Sequence, residues 1–440
     1  MTPLELRLRQ ALQPWRKAPV WCIAFSGGLD SSVLLHLLAA WARHEELPAL
    51  SAIHVHHGLQ PAADAWPEHC AQVCARLGIP LDIVRVQVAP GASLEQAARR
   101  ARYAAFAERL GSGEVLLGAQ HRDDQAETLL FRLLRGAGVR GLAAMPVSRS
   151  LGRGTLLRPL LGCSRAELHA YAQSHGLAWV EDPSNADERF SRNFLRRQVM
   201  PLLAERWPQV AAGLARSAGH LSEAQQLLDE LAEMDLLAAR GVCALPWLPL
   251  PSLDLSAVAA LSDTRQRNLL RHWLAPRSRM PDSDHWAGWC DLRDAATDAT
   301  PIWKLVDGEL HRADGRLWWL SGEWLRPLEP LDLACDSFSE SVELPDNGHV
   351  HLQGELPQGR WHLRYRLGGE SLQVPGRGRR DLKRLLNEMR VPVFVRSRLP
   401  LLFDGDELMA VANLTQEPGI EASGVRLHWS PPIGEQGLSW

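Results

Sequence analysis

Lysine is nearly absent from this chain: among 440 residues only Lys17, Lys304 and Lys383 occur. None of the three follows a glycine, which excludes the Gly-x-x-x-x-Gly-Lys-Ser/Thr loop that closes a nucleotide phosphate against a lysine. Phosphate contacts must then be made largely by arginine and by backbone N–H groups. Cysteine is sparse too. Seven copies, an odd number scattered along the chain, give no disulfide framework, and no Cys-x-x-Cys pair is present. Cys70 and Cys74 lie one helical turn apart beside His69, but no second pair completes a metal set, and they read as structural. Also missing is any run of ~18 apolar residues. The opening MTPLELRLRQALQPW sets Glu5, Arg7 and Arg9 among its leucines, so neither a membrane span nor a signal peptide is expected, and the expected location is cytoplasmic.

What is present is a globular composition, 46% apolar, in a length that predicts two to three domains at roughly 150 residues each. The net charge of −3 argues against a nucleic-acid partner only as an average. Residues 221–340 hold 20 Asp and Glu against 11 Lys and Arg, whereas residues 360–398 hold 11 Lys and Arg against 3 Asp and Glu. The second stretch is where a polyanion would bind.

Up to about residue 200 the chain alternates. Strand-like runs at 20–25, 50–55, 81–88 and 114–118 are separated by helical patterns at 30–43, 62–77, 93–110 and 123–135. That is the pattern of a parallel sheet flanked by helices, an α/β, Rossmann-like class. A long helical region follows, and the proline-rich stretch 241–252 reads as a boundary. Residues 253–325 carry helical text at 262–275 and the tryptophans Trp273, Trp286, Trp289, Trp303, Trp318 and Trp319, for which core packing is a commoner use than base stacking. From about 340 the text is β-rich, with alternation at 361–367, one helix at 379–389 and a hairpin about Asp404-Gly405. The expected division is an α/β domain over 1–215, a mainly helical middle domain over 216–335 and a small α+β C-terminal domain over 336–440.

In such sheets ligands bind at the carboxyl ends of the strands, and three polar clusters each follow a strand: SGGLDSS, HVHHGL and AQHRDD. The first joins strand to helix through Gly27 and Gly28, which let the backbone approach a phosphate at the positive end of the helix. An ordinary Asp or Ser N-cap is the plainer reading. His54, His56 and His57 read as structural or nucleotide-edge residues ahead of a metal site. Arg99, Arg100 and Tyr103 lie opposite an apolar helical stripe, either as a solvated face or as a phosphate site. His121, Asp124 and Glu127 follow one another at three-residue spacing, so Asp124 and Glu127 share an early helical face. They serve either the helix dipole or a cation, magnesium or an ammonium group. A later basic cluster in EDPSNADERFSRNFLRR holds Arg192, Asn193, Arg196 and Arg197.

Ser-Gly-Gly-x-Asp-Ser after a first strand resembles the PP-loop of the ATP pyrophosphatases, which cleave ATP between the α and β phosphates. On that resemblance Ser26, Gly27, Gly28, Leu29, Asp30 and Ser31 bind ATP, and Asp30 also places Mg2+. SGGLDSS, HVHHGL, ARRARY, AQHRDDQAETLLFRLLRG, RPLL, EDPSNADERFSRNFLRRQVMPLL and LPLLFDGDELMAV, in this order, resemble the tRNA(Ile)-lysidine synthetase family. Arg122 stands where that pattern often has leucine, and the likeness is weakest in the tryptophan-rich middle. The resemblance implies ATP-dependent ligation of L-lysine to carbon 2 of the wobble cytidine of the isoleucine tRNA with anticodon CAU. It implies roles for Asp30 with ATP and magnesium, for Arg100 and Arg192 or Arg196 with phosphates, for Asp124 and Glu127 with the lysine amine, and for the basic C-terminal part with tRNA. A tRNA thiolase would need a cysteine pair and an amidotransferase synthetase a glutaminase part, and neither is found. A nucleotide-sensing RNA-binding module without turnover is the alternative of another class. The oligomeric state is left open, a homodimer included.

Overall fold

The computed structural model describes residues 2–58, 61–88, 94–279, 284–296, 299–334, 341–354, 356, 358–374, 378–414 and 426–433. Two compact units divide the chain, Met1–Leu227 and Leu228–Trp440.

In the first unit the helices are α1 (Pro3–Leu12), α2 (Leu29–Ala42), α3 (Trp66–Leu77), α4 (Leu94–Arg109), α5 (Arg122–Leu133), the short α6 (Val139–Leu142), α7 (Arg165–Ser174), the short α8 (Ser191–Phe194), α9 (Met200–Arg206) and α10 (Val210–Arg240), which runs across the division. The strands are β1 (Val20–Ala24), β2 (Ala49–His56), β3 (Leu81–Arg85), β4 (Val115–Leu117), β5 (Ser148–Leu151) and β6 (Gly154–Leu157). They form one sheet in the order β3-β2-β1-β4-β6-β5, parallel except for the edge strand β5. Trp21 and Ile23 of β1 are fully buried and pair in register with Val115 and Leu117 of β4. One face of the sheet packs on α1, α2 and α7 through residues such as Leu8, Leu34, Leu38 and Leu168, and the other on α4 through Phe106 and Leu110. Burial of both faces explains why the strands read as apolar runs. The β5–β6 hairpin is not legible in the sequence, because its strands have four residues each and SRSLGRG carries no apolar alternation.

The second unit begins with β7 (Ser252–Asp254), α11 (Leu255–Ala259), α12 (Asp263–Leu274) and α13 (Ala287–Asp294), followed by β8 (Ile302–Lys304), β9 (Glu309–Ala313) and β10 (Arg316–Leu320). The helices of this middle region are thus accompanied by an antiparallel sheet, β7-β10-β9-β8. Trp273, Trp286, Trp289, Trp303 and Trp319 are all buried against it, in agreement with core packing. Next come β11 (Asp332–Ala334), β12 (Val342–Glu343), β13 (His349–Gln353), β14 (Trp361–Tyr365), β15 (Ser371–Val374), β16 (Gly378–Asp381), α14 (Leu382–Glu388), β17 (Pro400–Asp404), β18 (Glu407–Val411) and β19 (Arg426–Ser430). They make a six-stranded sheet, β11-β14-β17-β18-β15-β16, and a three-stranded one, β12-β13-β19. The β17–β18 hairpin turns at Asp404-Gly405, with Gly405 at φ +57°. The proline-rich stretch is no linker: Leu245, Leu248 and Leu250 are buried in one core with Trp318, Trp324, Leu363, Leu401 and Trp429.

Candidate active site

β1 leads into the loop Phe25–Gly28, whose geometry requires glycine. Gly27 has φ +83°, and a Cβ there would stand 3.0 Å from Cys70 Sγ and 3.2 Å from Val180 Cγ2. Its carbonyl accepts the Val180 N–H at 2.9 Å, which ties that later segment to the loop. Gly28 is the N-cap of α2 and brings no side-chain cap, whereas α1, α5 and α7 close their first turns with capping boxes at Thr2, His121 and Ser164. The leading N–H groups of α2 therefore stay open at the positive end of its dipole, a place that favours an anion. Ser31 Oγ donates to the Gly28 carbonyl at 3.0 Å and lies 3.0 Å from Ser26 Oγ, which stiffens the turn. The Leu29 side chain is packed in the core, so only its backbone faces the loop.

Asp30, in the first turn of α2, meets the end of β4. His121, 1% exposed, is the N-cap of α5; its backbone N–H donates to Asp124 Oδ2 at 3.1 Å, and its Nδ1 accepts the Asp124 N–H at 3.4 Å. Its Nε2 lies 3.6 Å from Asp30 Oδ2 and 3.5 Å from Asp124 Oδ2. Burial works against the imidazolium, but the hydrogen bond to Asp30 and the charges of Asp124, Asp30 and Asp123 prevail and raise the His121 pKa. On the far side, Arg196 Nε donates to Glu127 Oε1 at 2.7 Å, while Nη2 donates to Glu127 Oε2 at 2.7 Å and to Asp124 Oδ1 at 2.9 Å. Glu127 is 3% exposed, and burial raises its pKa against the pull of Arg196. Arg196 reaches this position from a π turn, Leu195–Val199, between α8 and α9.

Four of the residues singled out in the sequence, Asp30, Asp124, Glu127 and Arg196, thus form one network with His121 at its centre. From the sequence alone His121 has no assigned role; its signal is a polar residue at a strand–helix junction three positions before an acid. Arg192, on α8, lies beside the network and donates to Thr128 Oγ1 of α5 at 3.3 Å. Arg100 is exposed on α4, and among the described residues no contact joins it to Asp30, Asp124 or Glu127. His54 is structural: its Nδ1 bonds the Phe25 carbonyl at 2.9 Å, and burial lowers its pKa. His56 faces Asp64 at 3.3 Å. Burial pushes the Cys70 and Cys74 thiols up to about 12 and about 11, which disfavours the thiolate that a nucleophile needs.

Among the described residues no cluster of three or more His, Cys, Asp or Glu side chains is arranged to hold a metal ion unaided. Asp30 Oδ1 is buried without a hydrogen-bond partner. A single orphaned carboxylate oxygen beside an anion site fits magnesium, which is commonly held by one or two carboxylates and completed by substrate phosphates and water.

Comparison with known proteins gives the family of the chain. The model of the PP-loop domain matches residues 1–203, that of the TilS substrate binding domain residues 253–318, and that of the TilS substrate C-terminal domain residues 361–429. A tRNA(Ile)-lysidine synthase of Pseudomonas fluorescens is 62% identical over 436 residues, spanning 99% of this chain and 98% of that protein. That of Pseudomonas aeruginosa is 62% identical over 443 residues, spanning 99% of each. That of Coxiella burnetii is 41% identical over 431 residues, spanning 94% of this chain and 93% of that protein. With the PP-loop model matched over residues 1–203 and 62% identity along the whole length, the chain belongs to the tRNA(Ile)-lysidine synthase family.

Proposed function

We propose that this enzyme joins L-lysine to carbon 2 of the wobble cytidine in the isoleucine tRNA with anticodon CAU, consuming ATP and releasing AMP and pyrophosphate. The cytosine O2 attacks the α phosphorus of ATP and pyrophosphate leaves. The ε-amine of lysine then attacks carbon 2, the C2–O2 bond breaks with AMP as leaving group, and the amine gives up a proton. The observation that carries this reading is the uncapped N-terminus of α2 beside the orphaned Asp30 oxygen.

The N–H groups about Gly27, Gly28, Leu29 and Ser31 would hold the polyphosphate, with Ser26 and Ser31 shaping the turn. Asp30 would hold magnesium, which when bound supplies positive charge against the departing pyrophosphate. Arg100 and Arg192 are assigned to phosphate contacts. Asp124 and Glu127 are assigned to the lysine amine. Support for a cation at that pair comes from Arg196, whose guanidinium already lies against both carboxylates. Arg196 already donates to both carboxylates, so the incoming amine shares them with it or displaces it.

Residues 1–215 are assigned to ATP and catalysis, 216–335 to connection and support, and 336–440 to tRNA. The substrates, ATP and tRNA, set the reaction in the cytoplasm. Incorporation of labelled lysine into CAU-anticodon isoleucine tRNA, set against methionine tRNA with the same anticodon, tests the assignment. Label in the isoleucine tRNA alone is expected; ATP cleavage without label in either would leave a nucleotide-dependent RNA binder.

A further inference from the structure

Three arginines of the stretch 187–197 are spent on carboxylates: Arg196 on Glu127, Arg197 on Glu188, Arg189 on Asp187. A second group is not. Arg99 and Arg149 each lie 5.0 Å from the Tyr103 ring centroid, one from α4 and the other from β5. Arg158, at the carboxyl end of β6 and 3% exposed, donates to the Pro146 carbonyl at 2.7 Å. Arg132 donates to the Gly141 and Ala144 carbonyls at 2.8 and 2.9 Å. Among the described residues none of Arg99, Arg132, Arg149, Arg158 and Arg192 forms an ion pair with a carboxylate. Burial, followed by the charges of Arg192, Arg99 and Arg158, lowers the pKa of Arg132.

Carbonyl bonds fix two of these side chains but cancel no charge, and a ring face cancels little. The guanidinium groups of Arg99, Arg149 and Arg158, brought to one tyrosine without counter-charge, are an anion site, and their spread from α4 over β5 to β6 suits a chain of phosphates better than one. ATP and RNA both carry phosphate. Strand order separates them: β6 is two strands from β1, roughly 10 Å at the usual spacing, with the acidic network of α5 beside β4 in between. We infer that the arginine array around Tyr103 binds backbone phosphates of the tRNA arm that carries the wobble cytidine, and so presents that base to the catalytic network. This rests on the tRNA reading above and adds the surface by which the catalytic unit itself holds its RNA.

The test uses full-length protein and an RNA hairpin of the CAU anticodon arm. Arg99→Ala with Arg149→Ala removes two half-buried or exposed charges that fix no loop. Its dissociation constant for the hairpin should rise about tenfold near physiological salt, and the slope of log affinity against log salt should fall by roughly 1 to 2. Arg99→Lys with Arg149→Lys should keep most of the slope, and the Michaelis constant for ATP should stay within about twofold in both. Hairpin binding with an unchanged slope overturns the inference. So does a rise in the ATP constant with hairpin binding intact, which would make the array a nucleotide subsite. Lysidine formed by the wild-type protein while the alanine variant binds RNA normally sinks the array alone, whereas no lysidine from the wild type sinks the functional reading.

Discussion

At Glu127 burial favours the neutral acid, while the Arg196 guanidinium, 2.7 Å from both oxygens, favours the carboxylate. Glu127→Gln keeps the shape and removes the charge. It should raise the apparent Michaelis constant for lysine by on the order of tenfold, about 1.4 kcal/mol of lost charge-assisted binding. Pyrophosphate release at saturating tRNA and ATP should change much less; collapse of that step with lysine dependence intact would move Glu127 to the ATP site. Asp30 gives the complementary experiment. Asp30→Ala should abolish AMP formation and leave tRNA binding largely intact, and near-normal pyrophosphate release would refute its assignment. The acids of this site were legible in the sequence because Asp30, Asp124 and Glu127 lie in local strand–helix patterns. Arg196 as their partner was not, because it is separated from Glu127 by 69 positions and the two meet only when the π turn packs on α5.

Helix ends show how locally encoded chemistry is reinforced at a distance. Ser164 and Glu167 form the capping box of α7, and Arg7 of α1 adds an ion pair to Glu167. Slight burial opposes ionisation, but the Ser164 backbone and side-chain hydrogen bonds and Arg7 pull the Glu167 pKa down to about 2. The folded value lies below the unfolded one, so the stabilisation is complete above about 4.3 and is lost as pH falls towards 2. Glu167→Gln should therefore lower the urea midpoint at neutral pH, with the gap to the wild type closing between about pH 4 and pH 2. The carboxylate is about a third exposed, so solvent screening keeps the effect small. A gap that is constant with pH would assign the whole effect to the cap's hydrogen bonds.

For the whole molecule, the basic stretch 360–398 is less open than its composition implies. Arg398 is 5% exposed and donates to the Glu323 and Asp346 carbonyls at 2.8 and 2.9 Å, while Arg364 and Arg366 pair with Asp332 and Glu370. Lys383 and Arg384 of α14 remain exposed. Lys383→Ala with Arg384→Ala in the full chain should weaken tRNA binding and reduce its salt slope by roughly 0.7 to 0.9 for each phosphate no longer neutralised, measured by titration at several salt concentrations. Deleting the chain beyond 340 would instead uncover Leu245, Trp318 and Trp324 in the shared core. Aggregation and dye binding to the exposed apolar surface are expected from that deletion.

What the sequence determined by itself is whatever neighbouring residues decide: the alternation of strand and helix to about residue 200, the glycine junction between β1 and α2 and the acid spacing on α5, whereas the Gly28 start of α2 replaces the Asp or Ser N-cap that was the plainer reading. These depend on backbone sterics and on periodicity within one or two turns. Only tertiary structure decided which charges are neutralised. It set Arg196 on the acids, put Arg398 into the interior, left Arg99, Arg149 and Arg158 around Tyr103 without carboxylates and joined residues from 245 to 429 in one core. Composition counts charges, but electrostatic energy depends on distance and burial, and those are fixed by which distant segments come to pack together.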